Sequence, residues 1–250
     1  MNNRESTSIL WTQNLTRKFG GLTAVGNVNL SVKPRELLGL IGPNGAGKTT
    51  LFNLLMGLTT PTSGEIYLEG KNISGLKPHQ VCRLGMIKTF QNVALFPEMS
   101  VLENVLTGGL VRASMEEATL LAKDSLRKVG MLETADKKAS NLTFPEKALV
   151  EMARALCTKP QIVLLDEVMA ALNESEMDHI LNLIKTLREK EGITFIVIEH
   201  HMRAIMNLCE RIVVLSFGQV IAEGTPLEIS TNPEVISAYL GTDTSAGEIH

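Results

Sequence analysis

The sequence predicts an α/β domain in which a parallel sheet is covered by helices on both faces, beside an antiparallel β layer and an inserted α-helical subdomain. Three observations predict it. Near-continuous apolar runs at Leu37–Ile41, Ile162–Leu165 and Thr194–Ile198 are separated by helical patterns, as strands buried on both faces require. The first run leads directly into a glycine-rich loop, Gly42–Thr49, followed by an amphipathic stretch. Between Pro97 and Cys157 strand signals vanish and helix starts accumulate.

Each element follows from its local pattern. Ser8–Thr12 and Val28–Val32 alternate polar and apolar residues and, with Glu65–Leu68, predict the antiparallel strands of the β layer. Leu37–Ile41 is a buried strand; Thr50–Met56 is a helix continuing from the loop and stopped by Gly57. Ser100 with Glu103, and Ser114 with Glu117, have the S-x-x-E spacing of a capping box and open two helices of the insert. A longer helix follows Asn173, with Glu176 three residues on; Met177, Ile180, Leu181, Ile184 and Leu187 keep helical spacing and form a core stripe, not a cofactor site. Arg211–Glu223 predicts a hairpin turning at Phe217 and Gly218. The expected organisation is a single domain: residues 1–94 and 159–241 form the core with its β layer, 95–158 the helical subdomain, and 242–250 a polar, mobile tail.

Bulk properties narrow the function. At 250 residues the chain can bury a sizeable core. A net charge of −3 without a lysine or arginine block argues against nucleic acid as a partner. Cys82, Cys157 and Cys209 are far apart and in no metal-binding pattern, so they read as buried thiols of a reducing compartment. No apolar run is long enough to span a membrane, and the polar start lacks signal-peptide features; a soluble protein is expected, able to sit on a membrane partner without inserting.

The chemistry centres on GPNGAGKT, residues 42–49, which fits glycine, any four residues, glycine, lysine and serine or threonine. This pattern wraps backbone N–H groups around phosphates, so Gly42, Pro43, Asn44, Gly45, Ala46, Gly47, Lys48, Thr49 and Thr50 are candidate nucleotide-binding residues. Lys48 suits the β and γ phosphates, Thr49 offers its hydroxyl to Mg²⁺, and the following helix points its positive end at the same anion. Further on, QIVLLDE, residues 161–167, is an apolar strand ending in two carboxylates. Asp166 would hold the magnesium, and Glu167 would accept a proton from the attacking water or orient it.

With Gln91 in KTFQN, the ALN of residues 171–173, and Glu199–His200 after TFIVI, the chain resembles an ABC-type ATPase subunit over almost its whole length. FGGLTAV, KTFQN, LFPEMSVLENV, DEVMAAL and IAEGTP resemble, in particular, the nucleotide-binding subunit of branched-chain amino acid importers. The resemblance implies a P-loop ATPase with a RecA-like core that uses ATP and Mg²⁺ and closes head to tail with a second ABC ATPase subunit. That subunit would be a related chain in a heterodimer, or a second copy in isolation. It further implies docking on membrane permease subunits at the cytoplasmic face of the cell membrane, powering uptake of branched-chain amino acids or related solutes. By the same resemblance, Phe19 stacks on adenine, Gln91 touches magnesium or the attacking water, and His200 contacts the γ phosphate. Where the family carries a signature similar to LSGGQ, offered to a partner's nucleotide, this chain has LTFPE, so Thr143, Phe144, Pro145 and Glu146 occupy that station. Replacing glycines by Phe144 and Pro145 removes one N–H donor and hinders close approach, while the helix dipole and the Thr143–Glu146 capping box remain. Alternative readings are a low-turnover nucleotide switch, or the ATPase of a lipid or polysaccharide exporter; a translation or DNA-repair ATPase would need a second cassette or a long coiled coil.

Overall fold

The computed structural model describes residues 7–89, 94–169 and 172–243, with side chains as far as residue 240. Its strands are β1 (Leu10–Phe19), β2 (Leu22–Val28), β3 (Ser31–Val32), β4 (Leu37–Ile41), β5 (Ser63–Leu68), β6 (Lys71–Asn72), β7 (Met86–Lys88), β8 (Ile162–Asp166), β9 (Thr194–Ile198), β10 (Arg211–Ser216) and β11 (Gln219–Gly224). The α-helices are α1 (Lys48–Leu55), α2 (Pro78–Arg83), α3 (Val101–Gly109), α4 (Met115–Lys128), α5 (Phe144–Cys157), α6 (Glu174–Glu191), α7 (Met202–Leu208), α8 (Pro226–Ser230) and α9 (Pro233–Asp243).

The strands form two sheets. The larger runs β11-β10-β4-β9-β8-β7, parallel from β10 to β7, with β11 antiparallel at one edge. The smaller is antiparallel, β2-β1-β5-β6 with β3 also on β1. Every residue of β4, β8 and β9 is buried, which is why these runs are apolar throughout. Alternation sorts them between two cores. Leu37, Ile41, Val163, Leu165, Phe195 and Val197 face one core with α5, α6 and α7; Leu38, Leu40, Leu164, Ile196 and Ile198 face the other with α1 and the β layer.

Helix starts form as their spacing demands. Ser100, Ser114, Thr143 and Asn173 each accept from the backbone N–H three residues on, and the Glu there reaches back to the cap N–H. Met177, Ile180, Leu181, Ile184 and Leu187 are all buried on α6. The hairpin turns at Phe217 and Gly218, with φ of 45° and 78°, positive at both positions as in a two-residue hairpin turn of the primed kind. All three cysteines are buried.

The structure differs from the sequence reading in three places. The first strand is ten residues long and runs on to Phe19, because register shifts near Asn14, at φ 47°, and around Arg17 break the alternation that marks only its beginning. It then turns at Gly20–Gly21 into β2, a hairpin the pattern did not reveal. At the other end, α9 continues through Thr242 and Asp243, into the stretch expected to be tail. Among the described residues no helix is long and apolar enough to cross a membrane.

Candidate functional site

β4 delivers the chain to Gly42, whose φ of 149° few other residues adopt; a Cβ there would lie 2.0 Å from the Leu215 carbonyl oxygen. The loop then turns, the Ala46 N–H donating to the Pro43 carbonyl at 3.1 Å, and α1 begins after Gly47 at φ 102°. Flanking elements hold this loop in place. The Gly218 N–H donates to the Ala46 carbonyl at 2.9 Å, and the Gly218 carbonyl accepts from the Gly26 N–H at 2.8 Å, so the late hairpin and the β layer grip the loop together. Unlike α3, α4, α5, α6 and α8, α1 has no side-chain cap, and no acidic residue in its first turn. Its positive end is therefore available to an anion.

A cleft of about 430 Å³ opens at this helix end. Asn44 through Thr50 line it, with Phe19, Glu167 and Phe217, while Gly42 and Pro43 do not. Lys48 is buried and folds over the loop, its Nζ donating to the Gly42 carbonyl at 2.6 Å and the Pro43 carbonyl at 3.1 Å. Burial lowers its pKa, opposed by the negative charges of Glu167 and Asp166. Phe19 is no core residue: it is 47% exposed at the rim, with the Arg17 guanidinium 4.5 Å from its ring centre. Phe217 stands at the same rim, 87% exposed.

The strand ends supply the acidic groups. Asp166 closes β8 and is buried against Lys88 from β7, Oδ2 to Nζ 2.8 Å. Glu167 follows at φ 53°, a left-handed conformation uncommon for a non-glycine residue, fixed by its N–H donating to the Ile198 carbonyl at 2.9 Å. This turn carries its carboxylate out of the sheet and into the cleft, where Oε1 meets the His200 Nε2 at 2.7 Å. Adjacent β8 and β9 thus bring together residues 33 apart in sequence.

Glu199, beside His200, is buried and accepts the Met169 N–H at 2.8 Å, tying the end of β9 to the segment after Glu167. Burial is the main force raising its pKa to about 7, opposed by the Met169 N–H and reinforced by the charge of Glu167. Between the ordinary carboxylate range and about 7 the folded chain holds a proton that the unfolded chain releases, so this group lowers stability as pH rises through that window. Glu199→Gln keeps the acceptor for Met169, and is expected to be nearly neutral near pH 5 and stabilising near pH 8, by on the order of 3 kcal/mol. Melting temperatures at the two pH values test this; an equal shift at both would sink it.

Thr143, Phe144, Pro145 and Glu146 open α5 and do not line the cleft. The Thr143 hydroxyl donates to Glu146 Oε2 at 3.0 Å, so its proton is committed within the cap instead of being free for a phosphate. Gln91 lies outside the described residues. Three residues escaped the sequence reading: Phe217, singled out only as a turn, and Lys88 and Glu199, to which no site role was given. Lys88 carried one usable signal, a charge at the inner end of an apolar MIK segment leading to Gln91.

A phosphate cradle on a parallel sheet, with a carboxylate pair and a histidine at the neighbouring strand ends, defines a nucleotide-binding α/β cassette. Residues 25–170 match the ABC transporter family model, and the chain belongs to that family. It is an ABC-type ATPase. Residues 219–244 match a further model, for the branched-chain amino acid ATP-binding cassette transporter. The chain is 43% identical, over 94% of its length and 99% of the relative's, to the high-affinity branched-chain amino acid transport ATP-binding protein LivG of Escherichia coli K12. It is 42% identical, over the same shares, to BraF of Pseudomonas aeruginosa, another high-affinity branched-chain amino acid transport ATP-binding protein. Among solved structures, the ADP conformation of an ATP-binding cassette of an ABC transporter matches with a TM-score of 0.87 and 32% identity, covering 94% of this chain and 99% of that one. A dimeric post-hydrolysis cassette bound to ADP and Pi matches with a TM-score of 0.77 and 30% identity, covering 87% and 98%.

Proposed function

We propose that this chain hydrolyses MgATP in a head-to-tail dimer with a second ABC ATPase subunit, and that it docks on membrane permease subunits to drive uptake of branched-chain amino acids. The carrying observation is the 2.7 Å contact between Glu167 and His200 at the mouth of the cleft beside the Lys48 loop. A carboxylate and an imidazole there can orient an attacking water and receive its proton, functions a pure binding site does not need. Lys48 exchanges the Gly42 and Pro43 carbonyls for phosphate oxygens, and Phe19 offers the base an exposed ring. The transported solute rests on similarity to LivG and BraF, named as branched-chain amino acid transport ATP-binding proteins, and the permease docking is what such a transport role requires of a chain that supplies the ATP-binding part.

The residues also suit magnesium. Hard oxygen donors suit it, the Thr49 hydroxyl in the cleft wall and the Asp166 carboxylate one residue before cleft-lining Glu167, and Asp166 already carries a cation, Lys88, against one of its oxygens. Magnesium would neutralise charge developing on the phosphates; Gln91 is proposed as a further contact.

Phosphate release by the purified chain with MgATP, over a range of protein concentrations, tests the reading. Specific activity should rise with concentration and vanish in Lys48→Ala. ATP binding without release at any concentration, with or without candidate ATPase and permease partners, would leave the switch reading in its place.

One local feature favours slow turnover at the half-site that this chain completes for its partner. Pro145 has no N–H, Phe144 is exposed where glycine would let a phosphate approach, and the Thr143 proton is engaged by Glu146. Combining Phe144→Gly with Pro145→Gly should raise turnover of the assembled complex by about tenfold, the net worth of one ordinary hydrogen bond. An unchanged rate in folded protein would dismiss the idea that this signature is limiting.

A further inference from the structure

Lys88 is the one charged residue of β7, and its ammonium is buried at the end of the strand. It stands 2.8 Å from Asp166 Oδ2, 3.3 Å from Asn53 Oδ1 on α1 and 5.9 Å from the centre of the Phe52 ring. Burying this pair is poor value as a source of stability, since desolvation of both charges offsets their attraction and apolar residues would pack as well. Its location suggests another role. Asp166 lies within the field of two lysines, for Lys48 also feels its charge, but the two are held differently. Lys48 rests on loop carbonyls that phosphates can replace, whereas Lys88 is anchored from β7 to α1 and, like Asp166, is not among the residues lining the cleft.

We propose that Lys88 is a built-in counter-cation on Asp166 that sets how strongly nucleotide binding is coupled to magnesium; this rests on the MgATP reading above. Without metal, Lys88 cancels the Asp166 charge, so phosphates entering the cleft do not face a bare buried carboxylate. With metal, the same ammonium repels the divalent cation sharing that carboxylate. Both effects act in one direction: Lys88 narrows the gap between metal-free and metal-bound nucleotide affinity. Its charge makes it a positioning and tuning residue, since it reaches the substrate only through Asp166.

The measurable quantity is the ratio of the ADP dissociation constant in EDTA to that in saturating Mg²⁺, by calorimetry on the full chain. Lys88→Gln keeps a hydrogen-bond donor near Asp166 but removes the charge. It should weaken metal-free binding and raise the ratio by at least about tenfold, the floor that water-like screening sets for a unit charge a few ångströms from a divalent cation. Lys88→Arg, which keeps the charge, should leave the ratio near that of the wild type, and Lys88→Met should raise it as Lys88→Gln does, giving a second variant should one fail to fold. A merely structural Lys88 would lower the melting temperature and shift both constants together. A ratio in folded Lys88→Gln or Lys88→Met equal to wild type overturns the proposal, whereas a wild-type ratio of one overturns the magnesium reading instead.

Discussion

Glu167→Gln is expected to slow phosphate release from ATP by about 100- to 10,000-fold, the span associated with losing a positioned general base. ATP affinity should stay close to that of the wild type. The amide matches the carboxylate in shape and can still hydrogen-bond to His200, so the 2.7 Å contact keeps its framework while the basic oxygen is lost. The left-handed turn at residue 167, fixed through the Ile198 carbonyl, depends on the backbone and survives the substitution. Because hydrolysis is what reopens a closed pair of cassettes in the proposed cycle, the variant should accumulate with MgATP as a dimer visible by light scattering. A persistent monomer with bound ATP would count against the head-to-tail mechanism, and undiminished turnover would remove Glu167 from the role of base.

Legibility of the site in the sequence depended on whether neighbours in space were neighbours along the chain. The phosphate loop declares itself because eight consecutive residues build it, and β4, β8 and β9 because strands buried on both faces must be apolar at every position. Glu167 and His200 each lie just beyond the end of such a strand, so register carries them to one place even though the pairing itself is not written locally. Lys88 is different: its meaning comes from Asp166 across the sheet and Asn53 on a helix, and a three-residue strand is too short to show a period. Phe217 looked like a turn residue and is one; only the grip of Gly218 on Ala46 places it at the cleft. The Thr225–Glu228 capping box that opens α8 is, by contrast, legible in TPLE, because its partners stand three residues apart.

Gly42→Ala tests whether the cradle is a property of the loop or of the structure gripping it. The new methyl would meet the Leu215 carbonyl oxygen at 2.0 Å, a backbone atom of β10 that cannot swing aside, at a φ of 149° that already disfavours alanine. Relief requires separating β4 from β10 or moving the loop, and either breaks the contact between Gly218 and Ala46 that seats the phosphate site. The expected cost is about 3 kcal/mol or more, and a melting temperature lower by about 6–12 °C for a chain of this size, with ADP binding lost. Gly45→Ala supplies the contrast. Gly45 also has a positive φ, 78°, but a Cβ there meets nothing within 4 Å, so only the conformational term of about 1–2 kcal/mol applies in the free chain. If both substitutions lower the melting temperature equally, backbone strain alone explains Gly42. If Gly42→Ala is much the worse, the hairpin's carbonyl shapes the phosphate loop, and the affinity of the cleft is set partly by a strand 173 residues downstream, the separation of Gly42 and Leu215.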